Sequence, residues 1–141
     1  MRAIGVVLFA LLVFVVQAML VIFAFSLVTG IGFMARVGAS WIYSSLPFLS
    51  ALMASAVGGY SAVKVTSIRF PDVATDVVYV SLTTLLLANA ALTFMLEVSS
   101  SRQLFANASE AALFAAMTVA ALLGLRLALY HVRDERSVAS A

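Results

Sequence analysis

A chain of 141 residues that is 65% hydrophobic and only 10% charged, with a mean hydropathy of +1.16, lies far from the soluble average of about 45–50% apolar and about 25% charged. This excludes an ordinary globular domain and predicts a single integral membrane domain over residues 1–141. Eight Lys and Arg against six Asp and Glu give a net charge of +2, but the basic residues cluster around the ends of apolar runs, as membrane topology requires, so no nucleic-acid partner is expected; the absence of cysteine removes disulfides, thiolate metal sites and cysteine nucleophiles.

Four stretches carry no charge: between Arg2 and Arg36, Arg36 and Lys64, Asp76 and Glu97, and Glu110 and Arg126. At about 1.5 Å of rise per helical residue each crosses a hydrocarbon core of about 30 Å, or nearly so for the last. The first predicts a helix over residues 4–29, weakening at Gly30 and Gly32. Arg2 and the apolar run up to Ala18 have the form of a signal peptide, yet the run continues to about Val28, too far for a usual signal core, and an uncleaved first transmembrane helix is expected. A second helix over 40–63 opens with Trp41 and Tyr43 and carries Pro47 in its early turns, where a missing N–H costs least. Pro71 interrupts regular structure, and Asp72 is placed to N-cap a third helix over 73–98. After a polar loop around Ser99 to Arg102, Asn107 or Ser109 caps a fourth helix over 108–132, leaving a polar tail at 133–141. The expected fold class is all-α, an integral membrane protein of four transmembrane helices in an antiparallel up-down bundle.

With four spans, one side collects Arg2, Lys64, Arg69, Arg126, Arg133 and Arg136, and the other only Arg36 and Arg102. The excess of positive charge marks the inner side, so both termini are expected there, in a bacterial inner or organellar inner membrane. Tyr60, Tyr79 and Tyr130 fall near that boundary, Trp41 and Tyr43 near the other. No internal repeat or low-complexity tract is present.

Two of the predicted helices carry small residues at every fourth position: Ser50, Ala54, Gly58 and Ala62 in the second, and Ala108, Ala112, Ala116, Ala120, Gly124 and Ala128 in the fourth, with Ala51, Ser55 and Gly59 flanking the first stripe. Lipid tails are as apolar as leucine, so helices associate in a membrane by close backbone approach along such ridges. The stripes are expected to be packing faces, within the chain or with a neighbour. Gln17 and Asn89 are the strongest polar side chains inside the spans, and antiparallel counting brings Ser50 and Thr118 near their depth. One mid-membrane polar layer is therefore expected, read as interhelical hydrogen bonds because no ionisable group joins it, with a substrate or water site as the alternative. Arg126 is the one charge inside an apolar helix and is expected to snorkel or to pair with Asp72 or Asp76, and Glu97 to pair with Arg36 or Arg102. His131, the single histidine, is expected at the interface, with no metal or haem.

Chemistry narrows the function by elimination. A proton-coupled exporter of this size needs a carboxylate within a span and a quinone–haem anchor needs internal histidines; the predicted spans hold neither away from their ends. Length, helix count and inside termini are a formal match to the small membrane subunit of a tripartite solute transporter, without a motif to carry a resemblance. An integral enzyme would have to use Asp72, Asp76, Glu97 or Glu110, whose spacing offers no acid–base pair. The expectation is a non-catalytic accessory subunit of a larger membrane complex, without cofactor, whose partners are the bilayer and either larger subunits or copies of itself. The alternative is a homo-oligomeric channel or small transporter, or the membrane subunit of a solute transporter, built around the polar layer.

Overall fold

The computed structural model describes residues 2–34, 40–73, 75–99, 105 and 107–139. They form four helices: α1 (Arg2–Met34), α2 (Ser40–Arg69), α3 (Thr75–Ser99) and α4 (Ala108–Ala139). Each holds a stretch long and apolar enough to span a bilayer: Ala3–Gly30, Ser45–Arg69, Thr75–Val98 and Ala108–Val138. The chain is a multi-pass membrane protein built as a helix bundle.

The helices overrun the apolar limits at several ends. α1 continues through Gly30 to Met34, although glycine costs about 1 kcal/mol in a soluble helix. In hydrocarbon an unwound backbone has no water to bond, so the helix persists. α2 runs past Val63 to Arg69, and α4 runs past Val132 to Ala139, so most of the expected tail is helical. Charge does not end a helix, and one ion pair between the two extensions, Lys64–Glu135, rewards their order. Asp72 does not cap α3, which begins at Thr75 with Asp76 in its first turn, where a carboxylate complements the helix dipole. Residues 70–73 form a turn, with Val73 N–H donating to Phe70 C=O at 3.1 Å. Asn107 does cap α4, its Oδ1 accepting from Glu110 N–H at 3.0 Å.

α2 is the hub. It lies along α1 on one side and α4 on the other, α3 rests mainly on α4 with smaller contacts to α1 and α2, and the described parts of α1 and α4 do not meet. Of the apolar windows, 39% of that in α2 is buried but only 11% of those in α1 and α3, so these two helices leave most of their surface outside the bundle. The α2–α4 contact rests on two glycines. A Cβ placed on Gly124 would run into the Ala56 carbonyl, and one on Gly59 into the Ala121 carbonyl. Further along both helices, Tyr60 meets His131 and Lys64 meets Glu135. Gly58 serves the other side of α2, where a Cβ would lie 3.0 Å from the Phe14 carbonyl oxygen of α1.

The core gathers at one end. Val6 and Ala10 of α1, Ala62 and Val63 of α2, Val78 and Leu82 of α3, and Leu125 and Ala128 of α4 form one buried cluster. Beyond it α2 stays covered by α1 and α4, and α3 draws away. α3 is largely exposed after Leu86 and is held at its far end by Phe94, which stands 5.7 Å from Phe105 and 5.8 Å from Phe114 between ring centroids.

The glycines therefore divide into two classes. Gly59→Ala and Gly124→Ala force backbones apart and are expected to lower stability by about 1–3 kcal/mol, as overpacking does. Gly5→Ala and Gly30→Ala, where a Cβ meets nothing within 4 Å, are expected to be neutral or to gain up to about 1 kcal/mol. Unfolding of the four variants by titration of a denaturing detergent into mild micelles measures the difference.

Candidate functional site

The polar side chains separate into a charged end, at the closed part of the bundle, and two lone carboxamides in the open part. At the charged end the Lys64 ammonium reaches the Glu135 carboxylate at 2.5 Å, and the Arg133 guanidinium reaches Asp76 Oδ1 at 2.8 Å. Tyr60 Oη and His131 Nδ1 lie 3.2 Å apart with their rings edge to face. These contacts tie α2 and α3 to the last turns of α4. Asp76 thus pairs with Arg133 in place of Arg126, which is exposed and has neither Asp72 nor Asp76 in ion-pair reach. Depth explains the exchange. Arg126 and Arg133 share a face of α4, seven residues or about 10 Å apart along the axis, and Asp76, at the start of the α3 span, lies level with the lower of the two. At the opposite end Glu97 Oε2 accepts from the Phe105 N–H at 3.3 Å. Arg36 and Arg102, the partners expected for Glu97, lie outside the described residues.

The small-residue stripes meet different neighbours along their length. Ser50, Ala54, Gly58 and Ala62 are all buried, because the central helix is covered on two sides. On α4, Gly124 and Ala128 are buried, Ala120 is half-buried, and Ala112 and Ala116 are exposed. A four-residue step overshoots a full turn by about 40°, so a stripe at every fourth position winds around the helix by about 200° between Ala108 and Ala128. One straight neighbour cannot cover it. The residue that mates with Gly124's side of α4 is Gly59, one position off the α2 stripe; the Gly58, Gly59 pair was its sequence signal.

The four members of the expected polar layer do not bond to one another. Ser50 Oγ donates to the Pro47 carbonyl at 2.8 Å and Thr118 Oγ1 to the Phe114 carbonyl at 3.0 Å, each within its own helix. The carboxamides of Gln17, half-buried, and Asn89, exposed, have no hydrogen-bond partner among the described residues. Both nevertheless continue core-facing lines. Gln17 is seven residues beyond Ala10, and Asn89 is seven beyond Leu82, each within about 20° of the same face. Helical phase pointed them inward, but the bundle has already opened at their depth.

Three clefts accompany these groups. One of about 570 Å³ lies at the charged end between Gly5, Phe9, Arg69, Phe70 and Asp72. A groove of about 510 Å³ separates α1 and α2 beside Phe25, Thr29, Pro47 and Ser50. A furrow of about 490 Å³ runs over Gly124 between Met53, Val57, Tyr60 and Leu127. Neither the groove nor the furrow is lined by an acid or a histidine, and no group of three or more His, Asp or Glu that could hold a metal occurs among the described residues. The aromatic knot of Phe94, Phe105 and Phe114 was not singled out in the sequence, where the three rings are spread over two helices and a loop with no common spacing.

No protein-family model matches the chain, and neither a curated protein nor a solved structure matches it.

The Lys64–Glu135 and Arg133–Asp76 contacts sit at a wet boundary, with side chains 22–65% exposed. A double-mutant cycle with Lys64→Gln and Glu135→Gln is expected to give a coupling below about 1 kcal/mol, shrinking as salt is raised. A coupling several times larger would mean that these pairs, more than the glycine contact, hold α4 in place.

Proposed function

We propose that this protein is a non-catalytic accessory subunit of a larger membrane complex, and that its open half receives a transmembrane helix of another subunit. The observation that carries the reading is the pair of unpartnered carboxamides, Gln17 and Asn89, on the core-facing lines of α1 and α3 where those helices separate. A bare amide in hydrocarbon costs on the order of 2 kcal/mol or more unless a partner bonds it. A neighbouring helix entering the open half supplies that partner. The exposed Ala112 and Ala116 on α4 add a ridge against which such a helix packs closely.

The helices run alternately up and down, with both termini on the inner face of a bacterial inner or organellar inner membrane. Supporting this are the six-to-two distribution of Lys and Arg and the cluster joining the first turns of α1 and α3 to the later turns of α2 and α4. A chain without cysteine makes the test clean. Ser137→Cys is expected to react with a membrane-impermeant maleimide only after permeabilisation, and Ser101→Cys in intact cells; the reverse pattern overturns the orientation.

A homo-oligomeric channel or small transporter is the second reading, favoured by the same two amides, which would then line a pathway between copies. Mass measurement of the gently solubilised native particle separates the two. An accessory subunit emerges with larger, unrelated subunits in fixed ratio, whereas a channel emerges as a pure homo-oligomer. Asn89→Leu and Gln17→Leu break no side-chain hydrogen bond among the described residues, so each is expected to leave the stability of the isolated chain within about 0.5 kcal/mol while severalfold less of the chain co-purifies with the complex. Unchanged co-purification in both variants overturns the docking reading.

A further inference from the structure

The cleft at the charged end is not used by the proposed docking. It lies where the span Ser45–Arg69 ends and the span Thr75–Val98 begins, beside the first residues of the span Ala3–Gly30, which places it at headgroup depth. Its floor is apolar: Val6 is buried, and Phe9 and Phe70 meet edge to face with centroids 5.4 Å apart. Gly5 lines the mouth, which is open there: a Cβ on it would touch nothing within 4 Å. Among the described residues its rim carries one cation and one anion, Arg69 and Asp72, both exposed. Lys64 and Arg133 nearby are each ion-paired, but Arg69 and Asp72 pair neither with one another nor with any other group among the described residues.

We propose that this cleft binds a membrane phospholipid with a zwitterionic, amine-bearing headgroup, phosphatidylethanolamine in kind. The guanidinium of Arg69 offers a planar fork of donors to the phosphate. The carboxylate of Asp72, three residues on, accepts from the ammonium. The Phe9 and Phe70 floor takes the first carbons of an acyl chain, and about 570 Å³ is within the usual size of a small-molecule site. An anionic headgroup satisfies Arg69 but is repelled by Asp72. A choline headgroup has the charge but no N–H for the carboxylate. The opposite charges on a single rim therefore select the protonated amine.

The test is native mass spectrometry of the full chain released from nanodiscs holding equal parts of phosphatidylethanolamine, phosphatidylglycerol and phosphatidylcholine with identical acyl chains. The ethanolamine lipid is expected to be retained about tenfold over either competitor, the ratio that one charge-assisted contact provides. Arg69→Gln should lower retention of the ethanolamine and glycerol lipids alike. Asp72→Asn should abolish the ethanolamine preference and leave the glycerol lipid bound at least as well. Gly5→Leu, whose side chain enters open space, should lower retention of all three. A thermal melt of each variant checks the fold, and if Gly5→Leu unfolds, the two rim variants decide. Equal retention of the three lipids by the unaltered chain, retention of the glycerol lipid above the others, or an ethanolamine preference that survives Asp72→Asn overturns the proposal.

Discussion

α2 and α4 approach so closely at Gly59 and Gly124 that each helix presses its backbone against a carbonyl of the other. In a bilayer this contact has no hydrophobic force behind it; dispersion between closely packed backbones, and the absence of side chains that would hold them apart, are what make it favourable. The arrangement of the other two helices follows. With α2 occupied on one flank by α4, α1 takes the opposite flank over Gly58, and the described parts of α1 and α4 do not meet. α3 is left to close the structure from the side, and does so only where Val78 and Leu82 reach the common core.

That asymmetry produces the open half. A symmetric bundle would have covered α3 along its whole length and brought Gln17 and Asn89 against neighbours. Here the far part of α3 is held by three phenylalanine rings at its tip, with exposed surface between that knot and the core. The polar groups of the spans sort accordingly. Hydroxyls of Ser50, Ser55 and Thr118 are satisfied within their own helices, because a short side chain reaches its own preceding turn. The carboxamides of Gln17 and Asn89 make no such bond among the described residues, and the docking proposal grows from them.

The charged end behaves differently because it is wet. Ion pairs there link residues near the ends of the spans, Lys64 to Glu135 and Asp76 to Arg133, and partly exposed pairs of this kind are worth about 1 kcal/mol or less. Their positions still matter, since Arg133 occupies Asp76 and Glu135 occupies Lys64, leaving Arg69 and Asp72 as the charges beside an apolar cleft.

The charge gaps were enough to establish four membrane-crossing helices, because an ionised side chain in hydrocarbon is so costly that its absence over about 20 residues is itself a signal. The caps were legible in part: Asn107 acts as read, while Asp72 does not, because a turn stabilised by Phe70 intervenes before α3. Small-residue stripes singled out α2 and α4 as packing helices, whereas for α1 and α3 only the depth of Gln17 and Asn89 was read, and not the face they occupy. Only the tertiary structure decided which helix each face meets, at what depth the bundle opens, and which arginine finds Asp76. Those outcomes depend on close approaches between residues more than 60 positions apart, Gly59 to Ala121 and Gly124 to Ala56, and a one-dimensional pattern of periodicities carries the rotation of each helix but not the identity of the neighbour it turns toward.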